Sequence, residues 1–270
     1  MPAWLTETGD GPPVLLLHGW TGFRRVWGDL PAQLETAGMR VLAIDLPGWG
    51  AHPLPGGMRH DAFGYADALE GFIAERGPLS IVGHSLGGQV GLVLTARHPE
   101  LVRRLVVICT PVVPAPRGFV RPNSLVKIVG LPGIGGLLSY LALAVMARRP
   151  SRITTAYRRS VFDVDRLAGD PRFTQLAEDL GAHLRATPTR VVAESLRRIA
   201  RMDLRPILGE IHQPTLSIVG ERDWSVNPAN SATIAGGVRN GTLLRVPEVA
   251  HVAFLERPEI VLPAIVEFLR

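Results

Sequence analysis

Six short apolar runs punctuate this chain, and their spacing limits what it can fold into more than any other feature. They are VLLL (14–17), VLAID (41–45), LSIV (79–82), LVVIC (105–109), TLSIV (215–219) and TLLRV (242–246). Apolar runs of four or five residues suit strands buried on both faces of a parallel sheet. Between most of them lie helix-like stretches: Leu30–Ala37, Ala62–Arg76, Gly87–His98, Pro228–Ala235 and Glu259–Arg270. Such alternation predicts an α/β fold. It breaks once, between Cys109 and Thr215, where the chain reads mostly as helix with Pro- and Gly-rich joints at 111–122 and 130–136. We therefore expect a core built from residues 1–110 and 215–270, and a helical cap over 111–214. Its expected seat is the carboxyl ends of the strands, where open α/β sheets bind ligands.

The 270 residues allow one large domain, or a domain with a substantial insertion. A single cysteine, Cys109, excludes an internal disulfide and any cysteine-based metal cluster; within LVVIC it reads as a small buried hydrophobe. The N-terminal MPAWLTETGDGPP has no basic start followed by an apolar core, so no secretory signal is visible and a cytoplasmic protein is expected. The net charge of +5 is unevenly spread: residues 111–214 hold 16 Arg or Lys against 8 Asp or Glu. No basic run is interleaved with aromatics, which argues against nucleic-acid binding. A basic face toward an anionic surface or substrate fits the imbalance.

Within that segment, IVGLPGIGGLLSYLALAVMA (128–147) carries no charge and is long enough to cross a bilayer. Pro132 and four glycines in its first half favour a bent or broken segment. A span there would also strand half the sheet across a membrane. The expectation is an apolar lid facing substrate, with contact at a membrane surface as the alternative. Arg148, Arg149, Arg152, Arg158 and Arg159 then read as solvated helix faces paired with Asp163 and Asp165, or as aids to settling on anionic lipid.

The chemistry centres on G-H-S-L-G (83–87), directly after one apolar run and before a helix-like stretch. In that setting Ser85 sits on a sharp turn, and the flanking glycines keep neighbouring side chains from colliding. Its oxygen is aimed at a helix N-terminus, where free N–H groups favour negative charge. A serine hydroxyl needs a base. Of eight histidines, His18 and His84 lie in the turns themselves and His98 ends a helix. His52 and His60 follow the second run, and His183 and His212 fall in or just after the insertion. Only His251, in EVAHVAFLERPE, follows the last run. The base needs a carboxylate to fix its tautomer. Glu221 and Asp223, past TLSIV, are both candidates, and Asp223 lies farther out on the loop. HGWTG (18–22) can present the Trp20 N–H, and Leu86 the N–H after the nucleophile, as an oxyanion hole.

In these segments the chain resembles the α/β-hydrolase superfamily, in its lidded branch of esterases and lipases: LLLHGWTG, AIDLPGWGAH, IVGHSLGG, the IVGERD loop and the AHVAFLERPE tail. The resemblance implies an eight-stranded, mostly parallel sheet with a helical cap between strands 6 and 7. It also implies a Ser85/Asp223/His251 triad, with Trp20 and Leu86 as oxyanion donors. No HExxH, phosphate loop or dinucleotide fingerprint appears, so no metal or cofactor is implied. Two departures stand out. GWGAH puts His52 where a small hydroxyl is usual, and Ala250 rather than glycine precedes His251. The expected reaction is hydrolysis of hydrophobic short- to medium-chain carboxylic esters through an acyl-enzyme. Trp20, Trp49 and Trp224 are candidates to line the pocket or to cover the sheet edge. Rival uses of the same residues are C–C bond hydrolysis, lyase or cyclase chemistry, thioester cleavage and non-catalytic ligand sensing.

Overall fold

The structure, a computed structural model, describes residues 1–114, 161–163 and 171–270. The apolar stretch 128–147, the arginines from Arg148 to Arg159, and Asp165 lie outside the described residues. Among the described residues, no helix is long and apolar enough to cross a membrane.

All six apolar runs are strands: β2 (Pro13–Leu17), β3 (Arg40–Ile44), β4 (Leu79–His84), β5 (Val102–Ile108), β6 (Pro214–Gly220) and β7 (Asn240–Val246). They pair in parallel throughout. A seventh strand, β1 (Leu5–Thr8), adds antiparallel to β3. The sheet order is β1-β3-β2-β4-β5-β6-β7. The expectation of eight strands is thus corrected to seven among the described residues. Accordingly, residues 111–214 connect the fifth strand to the sixth rather than the sixth to the seventh. The eighth strand was implied by the resemblance and had no run of its own. β1 gave no apolar run because an edge strand buries one side only: of LTET, Leu5 alone is buried.

Parallel strands need crossovers, and the helices supply them. Helices α1 (Leu30–Thr36), α2 (Ala62–Ala74), α3 (Leu86–Arg97), α7 (Ala229–Gly237) and α9 (Pro258–Leu269) alternate with the strands. The short α8 (Ala253–Glu256) precedes α9. Helix α3 is buried from Leu86 to Thr95, including three glycines that let it lie close to the sheet. Gly87 shows why: a β-carbon there would overlap the Leu17 carbonyl of β2. Between β5 and β6 lie α4 (Pro171–Ala186), α5 (Thr189–Ile199) and α6 (Arg205–Leu208). Two hydrogen bonds join this region to the loops after β2 and β3: the Trp20 indole N–H to Val192 O at 2.9 Å, and Gly50 N–H to Thr187 Oγ1 at 2.9 Å.

The chain runs from β2 outward to β3, then returns past β2 to β4. The direction of winding therefore reverses between β2 and β4. Open α/β sheets bind ligands in the crevice at such a point, outside the carboxyl ends of the strands. Residues 18–22 and 85–86 sit there.

Candidate active site

Among the described residues, four non-glycine residues have positive φ: Thr21 (62°), Ser85 (50°), Cys109 (48°) and Glu248 (54°). Each lies in the loop leaving the carboxyl end of a strand (β2, β4, β5 and β7 respectively). Such conformations cost roughly 1–3 kcal/mol each and persist where the surroundings over-determine them. Their clustering at one end of one sheet marks that end as the place where geometry is imposed.

Ser85 occupies the turn between β4 and α3, with φ 50° and ψ −110°. Its N–H donates to Ile108 O of β5 at 2.9 Å, which pins the turn to the sheet. Leu86 begins α3, so its N–H belongs to the helix's unpaired first turn. The loop 18–22 lies against this turn: a β-carbon on Gly19 would sit 3.2 Å from that of Ser85 and 2.6 Å from His84 Nδ1. Glycine at 19 is what lets this loop approach so closely.

Asp223 and His251 meet across two loops, with Asp223 Oδ2 2.7 Å from His251 Nδ1. The second carboxylate oxygen of Asp223 accepts from Ser225 N–H at 2.8 Å and Val226 N–H at 2.9 Å. Asp223 is buried and His251 partly so. Burial pulls the His251 imidazole down, but the Asp223 carboxylate, by charge and hydrogen bond, outweighs it with help from Glu256. The net effect holds the imidazole above its ordinary range. Glu221, the other carboxylate weighed in the sequence, is exposed and stays out of this contact.

Two residues not singled out by the sequence reading hold the His251 loop. His84 Nε2 lies 2.9 Å from the His251 carbonyl, a contact that makes Nε2 the protonated nitrogen. The rings of His84 and His251 pack 4.8 Å apart. Burial, the nearby His251 and the neighbouring His18 keep the His84 imidazole well below its usual range, so it is neutral. Glu256 accepts from the N–H groups of Ala250 and Val252, at 3.0 and 3.3 Å. His84 was visible as the middle residue of the serine motif, and Glu256 as the only acid between His251 and Pro258. Neither had a periodicity or spacing that announces a backbone clamp.

The tryptophans divide. Trp49 is wholly buried and donates to the Tyr65 hydroxyl at 2.8 Å, so it serves the core. Trp20 and Trp224 are half-buried at the loops, Trp224 with its ring 6.1 Å from that of Phe162. His52 stacks flat on Trp4 at 3.9 Å.

Among the described residues, two clusters bring metal-capable atoms together, His18–Asp45–His183 and Cys109–Asp223–His251. Both His18 nitrogens are engaged, Nδ1–H donating to Gly19 O at 2.8 Å and Nε2 accepting from Leu46 N–H at 2.9 Å. Asp45 Oδ2 takes Arg24 at 2.7 Å. In the second cluster the acid and imidazole satisfy each other, and burial pushes the Cys109 thiol well up, which opposes the thiolate a metal needs. The donor sets present fit hydrogen bonding better than coordination.

Residues 12–258 match the family described as alpha/beta hydrolase fold, and the chain belongs to that family. Its relatives include two proteins named pimeloyl-[acyl-carrier protein] methyl ester esterase. The one from Chromobacterium violaceum is 29% identical over 100% of this chain and 98% of its own length. That from Nitrosomonas europaea is 30% identical over 94% of each. Among solved structures, a thermophilic esterase from Thermogutta terrifontis superposes with a TM-score of 0.76 at 24% identity, over 98% of this chain and 92% of that one. At that identity the likeness shows the fold.

Proposed function

We propose that this α/β-fold ester hydrolase is a serine hydrolase in which Ser85 is the nucleophile, His251 the base and Asp223 the residue that orients the base. The observation that carries the reading is the 2.7 Å contact between His251 Nδ1 and Asp223 Oδ2. It fixes the proton on Nδ1 and leaves Nε2 unprotonated to receive one. Ser85 Oγ attacks the ester carbonyl as Nε2 takes its proton. The oxyanion that forms is received by the N–H groups of Trp20 and Leu86, and losing one such donor typically costs roughly 100- to 1000-fold in rate. The C–O bond then breaks and the leaving alcohol takes the proton from His251. Water, deprotonated by the same nitrogen, releases the acid and restores Ser85.

The substrate class proposed is a hydrophobic short- to medium-chain acyl ester, bound beneath a cap formed by residues 111–214. Support for the cap comes from the hydrogen bonds that tie Trp20 to Val192 and Gly50 to Thr187. The relatives' name favours a narrower form, a methyl ester on an acyl chain attached to a carrier protein. The surplus of basic residues in 111–214 would suit an anionic carrier or surface.

The test is hydrolysis of p-nitrophenyl esters across acyl chain lengths, wild type against Ser85→Ala. Methyl esters, thioesters, amides and diketones are run beside them. Chain-length-dependent ester turnover that vanishes in a folded Ser85→Ala is the expected result. An active Ser85→Ala, or a folded wild type that cleaves only diketones, overturns the reading.

A further inference from the structure

Glu256 is a buried carboxylate that the proposed chemistry leaves unused, and each of its oxygens is engaged. Oε1 takes the N–H of Ala250 at 3.0 Å and of Val252 at 3.3 Å, the two residues that flank His251. Oε2 takes the N–H of Phe162 at 2.6 Å. With the His251 carbonyl bound by His84, the histidine's backbone is held on three sides. An imidazole on a loop fixed this way has few directions in which to point. Phe162 belongs to the connection between β5 and β6, so the same carboxylate ties that connection to the histidine loop. The residue before it, Val161, is buried, and the Phe162 ring packs near Trp224, next to Asp223.

We propose that Glu256 is a positioning residue for His251: its carboxylate clamps the loop on both sides of the histidine, joins it to the segment at Phe162, and places a second negative charge beside the imidazole. This rests on His251 acting as the base for Ser85. When Ser85 gives up its proton the imidazole becomes a cation, and a fixed charge nearby stabilises it without reorganisation. Burial raises the Glu256 carboxyl, the three N–H groups oppose that, and the neighbouring Asp223 adds to it; the net displacement is upward. Among the described residues, the ionisable groups that face the imidazole are Asp223 from the β6 loop, Glu256 from α8, His84 from the end of β4 and Cys109 from the end of β5. Of these, His84 is neutral and Cys109 protonated, so Asp223 and Glu256 supply the negative charge.

Glu256→Gln removes the charge and nearly preserves the shape. Its one carbonyl oxygen can keep Ala250 and Val252, while its NH₂ then faces the Phe162 N–H. Glu256→Ala removes the clamp altogether. We expect the acid limb of kcat/KM against pH to move to lower pH in either variant, because an imidazole deprived of a nearby negative charge holds its proton less tightly. The plateau kcat should fall about 10-fold in Glu256→Gln and about 100-fold in Glu256→Ala, the scale of a misplacement of about 1 Å. KM should change far less than kcat. Whichever variant folds is read for the limb, so loss of one leaves the test standing. A limb that does not move overturns the proposal even if kcat drops, since loss of structure alone lowers the plateau without shifting it. Ser85→Ala, measured alongside, separates the failures. An inactive Ser85→Ala with an unmoved limb overturns the role of Glu256 alone, whereas an active Ser85→Ala overturns the serine reading beneath it.

Discussion

Replacing Asp223 by asparagine tests the proposed triad at its most constrained contact. One oxygen of Asp223 already accepts two backbone N–H groups, from Ser225 and Val226, and the other meets His251 Nδ1. An asparagine must choose which side receives its NH₂. Turned toward the backbone, it would leave two buried donors without an acceptor, at about 1–3 kcal/mol each. Turned toward His251, it opposes a single N–H, and the imidazole can answer by moving its proton to Nε2. The second arrangement wins. Nε2 then carries a proton and cannot take one from Ser85. A wrong tautomer of this kind lowers kcat by about 10⁴-fold, equivalent to ~5.5 kcal/mol of barrier. Because the turn hydrogen bonds survive, thermal stability should change little. The assay is p-nitrophenyl ester turnover at saturating substrate, with folding checked by near-ultraviolet circular dichroism. A folded Asp223→Asn enzyme within tenfold of wild type would refute the tautomer argument and, with it, the role proposed for Asp223.

The remaining predictions concern pH and packing. With His251 held above the ordinary imidazole range and active only when deprotonated, activity should fall on the acid side at a pH above that of a free imidazole; an acid limb below it would contradict the charge balance described. Burial depresses His18 and His183 to about 4, His183 helped further by the nearby His18. The unfolded chain binds protons at these sites first as pH falls, so stability is intact above pH ~6.5 and declines toward pH ~4, by about 1.4 kcal/mol per pH unit for each. Urea titrations at pH 7 and pH 5 should show this, and His183→Gln should shallow the slope; equal stability at both pH values would discard it. Gly87→Ala should destabilise by about 1–3 kcal/mol, because its β-carbon meets the Leu17 carbonyl. An unchanged urea midpoint would mean that α3 and β2 are not packed as described.

Strands buried on both faces were the most legible, although TLLRV was read as one too and proves to be an edge strand with only Val246 buried. A strand covered on both faces is mostly apolar, and LVVIC or TLSIV, whose Thr215 and Ser217 are buried with the rest, therefore announce themselves. LTET shows only Leu5 to the core, so β1 escaped. That Ser85, Asp223 and His251 lie in loops past strand ends was legible, because each comes within a few residues of a run that marks a strand. Direction was less legible than position. Trp49 and His52 stand in a motif loop as expected, yet Trp49 turns inward to Tyr65 and His52 outward to Trp4. Hydrogen bonds between side chains and distant backbone atoms were not legible at all. His84 and the carbonyl it holds are 167 positions apart, and Glu256 reaches back 94 positions to Phe162. Hydrogen bonds to backbone leave no mark on the identity of the residue that accepts or donates them.

The precision of the proposed triad has a source in the sheet itself. Past the ends of β4, β5 and β6, one more rung of the ladder is made. Ser85 N–H donates to Ile108 O, joining the β4 exit to β5, and Cys109 N–H to Ile218 O, joining β5 to β6. Glu221 N–H then donates to Val246 O, joining β6 to β7, and Arg222 N–H to Val249 O in the loop beyond. The loops leave the sheet only after being tied to their neighbours, so the register that sets β4 against β5 and β6 against β7 also sets Ser85 against Asp223 and His251. Parallel pairing makes this possible, since it points every carboxyl end the same way and keeps the exits in a row. The cost falls on the backbone, which turns away from the sheet within a residue or two. Ser85 and Cys109, each with positive φ, carry a rung and the turn at once. On this account the strain at those positions is the consequence of extending the ladder to the point where chemistry starts. A looser turn would relieve it and let Ser85 drift from the proposed partners, Asp223 and His251.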